Sequence, residues 1–114
     1  MIRKISLLIV DDEASVRDSL YKWFKFDGYR VNTAADANAA LHELQNNSYD
    51  IVLLDIKMPG MDGLELQRRI KQINKNIITI MITAFASVDT SIQALKEGAF
   101  DYIVRPIDPD NMSH

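Results

Sequence analysis

Three acids in a row, Asp11, Asp12 and Glu13, follow directly on the apolar stretch LLIV at residues 7–10. Asp55 closes a second apolar stretch, DIVLLD at 50–55. Thr83 closes a third, IITIMIT at 77–83, and Arg105 follows a fourth, DYIV at 101–104. Carboxylates repel one another, and the repulsion grows where water is scarce. Acids at the ends of buried segments are therefore either solvated or matched by a cation. Oxygen donors suit a hard divalent ion that keeps part of its water, which points to Mg2+. No His or Cys stands in these loops, which argues against zinc or copper.

Taken singly, each residue also has an ordinary structural reading. Asp11 or Glu13 can cap the helix that follows them. Asp55 can be a strand-end residue satisfied by a turn, Thr83 a sheet hydroxyl and Arg105 a solvated charge. What favours a site is that all of them stand at the same end of their segments. His42 and His114 have no ligating neighbours and read as surface residues. Trp23 and Phe24 sit at core spacing, and Met58 and Met61 imply no cofactor.

The segments that must position these residues alternate in type. ISLLIV at 5–10 is a continuous apolar run, as in a strand buried on both faces. Val16, Leu20, Trp23 and Phe24 then recur at helical spacing up to Gly28. YRVNT at 29–33 reads as a second strand. Asp36 caps a helix with the apolar face Ala37, Ala40, Leu41 and Leu44. DIVLLD is the third strand, and MPGMDG at 58–63 is loop chemistry. Asp62 with Glu65 resembles a capping box for a helix carrying Leu66, Ile70 and Ile73. IITIMIT is the fourth strand, Val88, Ile92 and Leu95 line a fourth helix that stops near Gly98, and DYIV is the fifth strand.

Five strands alternating with helices predict a doubly wound α/β fold with a parallel sheet. In such sheets ligands bind beyond the carboxyl ends of the strands, where the strand order reverses. If the order is 2-1-3-4-5, the first and third strands are neighbours at the reversal. Asp11, Asp12 and Asp55 then share one pocket, flanked by Thr83 and Arg105. Asp108 and Pro109 read as the start of a fifth helix for which the sequence leaves no room. The expectation is an N-terminal fragment of a longer chain, with the fifth helix absent or truncated.

The bulk numbers suit one domain of 114 residues, 47% hydrophobic and 25% charged. A net charge of −3 provides no general attraction to nucleic acid or to an anionic membrane. No apolar run approaches the length of a membrane span, and no signal peptide is apparent. The chain lacks cysteine, which excludes disulfides and thiolate chemistry and is compatible with a reducing cytosol.

VDDE at 10–13, LLDIKMPGMDG at 53–63, MITAFAS at 81–87 and DYIVRPID at 101–108 resemble, in order and spacing, the receiver domains of two-component response regulators. The resemblance spans essentially residues 1–114 and implies the flavodoxin-like order 2-1-3-4-5. It implies that Asp55 accepts a phosphoryl group from a sensor histidine kinase. It implies Mg2+ held by Asp12, Asp55 and the backbone carbonyl of Lys57, with Asp11 helping through water. Thr83 and Arg105 would meet the phosphoryl group, Thr83 and Tyr102 would form the switch, and the Arg105–Pro106 bond would be cis. It further implies a cytoplasmic signalling module rather than an enzyme, coupled to an output domain of its own and able to form a homodimer, with no direct contact to nucleic acid or membrane. The stretch from Ser87 onward is most similar to receivers of regulators that activate σ54-dependent transcription. Phosphoryl transfer needs an in-line nucleophile and charge neutralisation more than covalent help from the protein, which fits this residue set.

In two places the chain departs from the family pattern. Position 105 is arginine where lysine is usual, and the fifth helix is missing. Two other classes are weighed against the receiver. Phosphatases of the haloacid dehalogenase kind also use a strand-end Asp and Mg2+, but need a second Asp two residues on, where this chain has Lys57. A non-phosphorylated interaction module on the same fold usually lacks some of the acids, and here all three are present.

Overall fold

Ser6–Val10 forms β1, and all five residues are buried. Such a strand needs cover on both sheet faces and neighbours on both edges. The computed structural model describes residues 3–105 and places β1 inside a five-stranded parallel sheet. The chain continues through α1 (Ala14–Phe26), β2 (Arg30–Ala34), α2 (Ala37–Asn46), β3 (Ile51–Leu54), α3 (Gly63–Ile73), β4 (Ile78–Thr83), α4 (Val88–Lys96) and β5 (Asp101–Val104). The strand order is β2-β1-β3-β4-β5, as the sequence leads one to expect. Val10 lies opposite both Ala34 and Leu54, Leu54 opposite Met81, and Thr83 opposite Val104. The residues that follow β1 and β3 therefore emerge side by side.

The two faces of the sheet carry separate apolar clusters. Leu8, Val10, Val52, Leu54 and Met81 pack beneath α2, α3 and α4. Leu7, Ile9, Val31, Leu53 and Ile82 lie on the other face, where Leu20 and Phe24 of α1 cover them and Phe24 meets Tyr29 edge to face. Trp23 does not join them and is 65% exposed. Among the described residues α1 is the only helix on this face, so nothing beside it covers its flank. Met58 and Met61, both in the loop after β3, instead belong to the larger cluster.

A second correction concerns α4. Val88, Ile92 and Leu95 do not line the core; all three are exposed, Val88 to 73%. The side that turns inward is that of Ala94, which is fully buried. At the sheet's edge, over β5, only a narrow stripe of the helix meets protein, and a small residue permits close approach.

The starts of α2, α3 and α4 follow side-chain capping. Asp36 accepts the Ala39 N–H at 2.8 Å and Asp62 the Glu65 N–H at 2.9 Å. The expected capping box at Asp62 is only half made, because the Glu65 carboxylate turns to Arg68 and Arg69, at 3.7 and 3.6 Å. The box with both halves present is at α4, between Ser87 and Thr90. Pro106, Asp108 and Pro109, with the expected cis bond and fifth helix, lie outside the described residues.

Gly63 opens α3 hard against the end of β3. Its N–H donates to the Ile56 carbonyl at 2.7 Å, and a Cβ there would fall 2.0 Å from the Asp55 carbonyl oxygen. All the near atoms are backbone, so they have little room to yield. Gly63→Ala is expected to destabilise the fold by about 2–3 kcal/mol, the scale of overpacking, as read from urea or thermal unfolding.

Candidate functional site

The hydrogen-bond ladders of the sheet run one residue past the strands and deliver the site. Asp11 N–H donates to the Ala34 carbonyl and Asp55 N–H to the Val10 carbonyl, both at 3.2 Å. Arg105 N–H donates to the Thr83 carbonyl at 2.7 Å. The backbone thus fixes three of the charged residues before their side chains interact. Asp11 Oδ1 then accepts the Glu13 N–H at 2.9 Å and turns the chain toward α1. Glu13 occupies the N-cap position of α1, but its side chain makes no capping bond. Arg17 of α1 reaches back to donate to the Asp11 carbonyl at 2.7 Å.

Asp11 and Asp55 are 3% and 2% exposed, while Asp12 faces solvent. Carboxylate oxygens of the three lie within 4.8 Å of one another. The compensating charge comes from the far side of the sheet. One nitrogen of Arg105, Nη2, is 2.8 Å from Asp55 Oδ2 and 3.2 Å from Asp11 Oδ2. Burial pushes the Asp11 carboxyl above the usual carboxylate range. The Glu13 N–H and Arg105 oppose that shift, and the charges of Asp55 and Asp12 add to it. Three carboxylates against one guanidinium leave an excess of negative charge. A hard divalent cation with oxygen ligands fits that donor set.

The other residues singled out in the sequence form the surroundings. Thr83 is fully buried, and its Oγ1 accepts the Phe85 N–H at 3.0 Å, which leaves its hydroxyl proton available to a ligand. The Lys57 N–H faces Asp55 Oδ1 at 3.4 Å, and its Nζ sits 4.7 Å above the Phe85 ring, linking the loops after β3 and β4. Tyr102 is half-buried, away from the carboxylates, and shares a 2.7 Å hydrogen bond with the Thr90 hydroxyl in the first turn of α4. Sequence reasoning missed Thr90 and Arg17. The Ser87-x-x-Thr90 spacing carried a capping signal for the first, whereas nothing local marks Arg17.

The described residues contain no helix long and apolar enough to cross a membrane. The family model of the response regulator receiver domain matches residues 7–114. The transcriptional regulatory protein ZraR of Klebsiella oxytoca is 39% identical over 109 residues, covering 96% of this chain and 25% of its own length. The chain thus spans about a quarter of the curated relatives it first matches. Among solved structures, a CheY-like receiver domain protein from Methanospirillum hungatei JF-1 superimposes with a TM-score of 0.89 at 34% identity, over 97% of this chain and 89% of that one. The response regulator TrrA of Thermotoga maritima, solved in complex with Mg(2+)-BeF, gives a TM-score of 0.82 at 31% identity, over 96% and 93%. The chain belongs to the response regulator receiver domain family.

The direction of the Asp11 shift sets a pH dependence. A carboxyl whose folded pKa is raised binds its proton more tightly when folded, so it subtracts stability as pH rises through the unfolded value toward the folded one. Asn at this position keeps the Oδ1 acceptor for Glu13 and removes the charge. In metal-free buffer Asp11→Asn is expected to raise the melting temperature at pH 7, and the gain should vanish in acid, below the unfolded pKa. A melting series across pH checks both limbs.

Proposed function

We propose that this chain is a phosphorylation-activated switch in which Asp55 is the phosphoacceptor. The observation that carries the reading is the buried Asp55 carboxylate, set among Asp11, Asp12 and Arg105 with the Thr83 hydroxyl on the next strand. The Asp55 carboxylate attacks phosphorus in a phosphohistidine of a sensor kinase. The new bond is carboxylate oxygen to phosphorus; the bond that breaks is phosphorus to imidazole nitrogen, and the nitrogen leaves with the electron pair. Arg105 must give up its 2.8 Å contact with Asp55 Oδ2 and can then pair with a phosphoryl oxygen. Thr83 is positioned to donate its hydroxyl proton to another.

Asp11, Asp12 and Asp55, with the Lys57 carbonyl, would hold Mg2+. When bound, Mg2+ supplies charge neutralisation for the phosphoryl oxygens. The protein acts here as a one-time acceptor rather than an enzyme. The position two residues after the nucleophile is Lys57, whose ammonium lies over the Phe85 ring and cannot serve as a carboxylate acid–base.

Engagement of Thr83 would be relayed through the loop 84–87 to α4 and to the Thr90–Tyr102 bond. The output would be a downstream domain of the same protein, and transcription is its field of action, by analogy with the ZraR relative. The test is incubation with acetyl phosphate and Mg2+, followed by mass spectrometry. One phosphoryl adduct, located at Asp55 and abolished in Asp55→Asn, is expected. An adduct on Asp11 or Asp12, or continuous hydrolysis of the donor, would overturn the reading.

Arg105 bridges two carboxylates that the metal also requires, so protein cation and metal compete. Lysine is a compact point charge without the planar fork. Arg105→Lys is therefore expected to retain uptake at Asp55 and to bind Mg2+ severalfold tighter, about 1 kcal/mol by calorimetry.

A further inference from the structure

Four acids stand in and just before the start of α1, namely Asp11, Asp12, Glu13 and Asp18, and the first cation on that helix is Arg17. Among the described residues Arg17 pairs with no carboxylate. Side chains on a helix lean toward its N-terminus, so Arg17, one turn into α1, can reach the chain before the helix. It is half-buried there, and its Nη1 donates to the main-chain carbonyl of Asp11 at 2.7 Å. A guanidinium surrounded by acids thus spends its bond on a peptide oxygen. The bond is charge-assisted and shorter than the others that hold Asp11.

That oxygen belongs to the peptide unit joining Asp11 to Asp12. The unit is planar, so holding its oxygen also sets where the Asp12 Cα lies. Asp11 has further anchors: its N–H donates to the Ala34 carbonyl, and its Oδ1 accepts the Glu13 N–H. Asp12 has none. Its side chain is exposed and makes no hydrogen bond or ion pair among the described residues. Yet its carboxylate comes within 4.8 Å of those of Asp11 and Asp55. An exposed acid free to choose would turn away from two other carboxylates. Its backbone has to keep it there.

We infer that Arg17 is a positioning residue for the metal site: by holding the Asp11 carbonyl it fixes the Asp11–Asp12 peptide and aims the Asp12 carboxylate into the shared pocket. The inference rests on the proposal that Asp11, Asp12 and Asp55 hold Mg2+. Groups that orient a metal's ligands matter to its affinity without touching it. Arg17 also carries a positive charge, which by itself opposes a cation nearby. The two effects have opposite signs. If charge dominates, removing Arg17 tightens Mg2+ binding; if positioning dominates, removing it weakens binding.

The test is Mg2+ calorimetry on the 114-residue chain with Arg17→Met, which keeps the apolar stem and removes both charge and donors. Affinity is expected to fall roughly tenfold. Equal or tighter binding would overturn the inference. Arg17→Lys keeps the charge and a donor, and it is expected to recover most of the loss. A Lys variant no tighter than the Met variant would also overturn it. Should Arg17→Met not fold, Arg17→Ala, with the best helix former, carries the same expectation. A second readout needs no metal. In metal-free buffer the Glu13 amide, bonded to Asp11 Oδ1, is expected to exchange roughly tenfold faster in Arg17→Met, with the amides of β3 unchanged. Unchanged exchange at Glu13 would overturn the hold on the Asp11–Asp12 peptide. A wild-type chain that binds no Mg2+ at millimolar concentration would instead overturn the metal reading, and the exchange result would still decide whether Arg17 fixes that peptide.

Discussion

Two carboxylates with almost no contact to water, Asp11 and Asp55, lie against each other at the reversal point of the sheet, and a single nitrogen of Arg105 spans them. Without a cation that pairing is repulsive in a setting of low dielectric. The parallel order β2-β1-β3-β4-β5 is what makes it unavoidable, because it sets β1 and β3 side by side with their carboxyl ends level. Arg105 comes from the end of β5, two strands from Asp55, and its backbone is held by the Thr83 carbonyl at the end of β4. The charge balance of the pocket therefore depends on the register of the whole sheet from β1 to β5. A one-residue slip at β5 would move Arg105 to the other face.

The packing around the pocket protects that register. The five buried residues of β1 leave it no alternative to a central position. Gly63 lets α3 begin against the Asp55 backbone, and Arg17 returns from α1 to the Asp11 carbonyl. The pocket is thus walled by the starts of the helices that follow its own strands. Rigidity here contrasts with the edge formed by α4 and β5, where Tyr102 is half-buried and large apolar side chains stand exposed. A site that must discriminate one charge state from another needs fixed donors, and a reporting element needs two arrangements of similar energy. On the function proposed above, the two demands would fall to different layers of the same fold.

Arginine at position 105 changes the resting state of the pocket more than its total charge. A planar guanidinium can touch two carboxylates at once, and here it does, at 2.8 and 3.2 Å. The bridge offsets repulsion between Asp11 and Asp55. It also occupies oxygens that a metal and a phosphoryl group would need. The pocket is therefore partly compensated before any ligand arrives, and a cation entering between Asp11 and Asp55 would have to displace the guanidinium.

Much of this was already written in the sequence. Continuous apolar runs alternating with helical periodicity define a parallel α/β sheet, because only strands covered on both faces tolerate such runs. Acids and the threonine at the carboxyl ends of those runs then converge by topology alone, and their spacing, together with the motifs around Asp55, Thr83 and Arg105, carried the family resemblance. Facts that depend on which elements become neighbours were not legible. Trp23 and Val88 follow helical spacing yet face solvent, since spacing says which residues share a stripe but not whether anything packs against it. Glu65 sits three residues after Asp62, but nearby arginines decide where its carboxylate goes. The pairing of Gln67 with Thr79 and Ala94 joins residues 12 and 27 positions apart. No local pattern announces it, because a buried amide is explained only by partners that the tertiary fold brings to it.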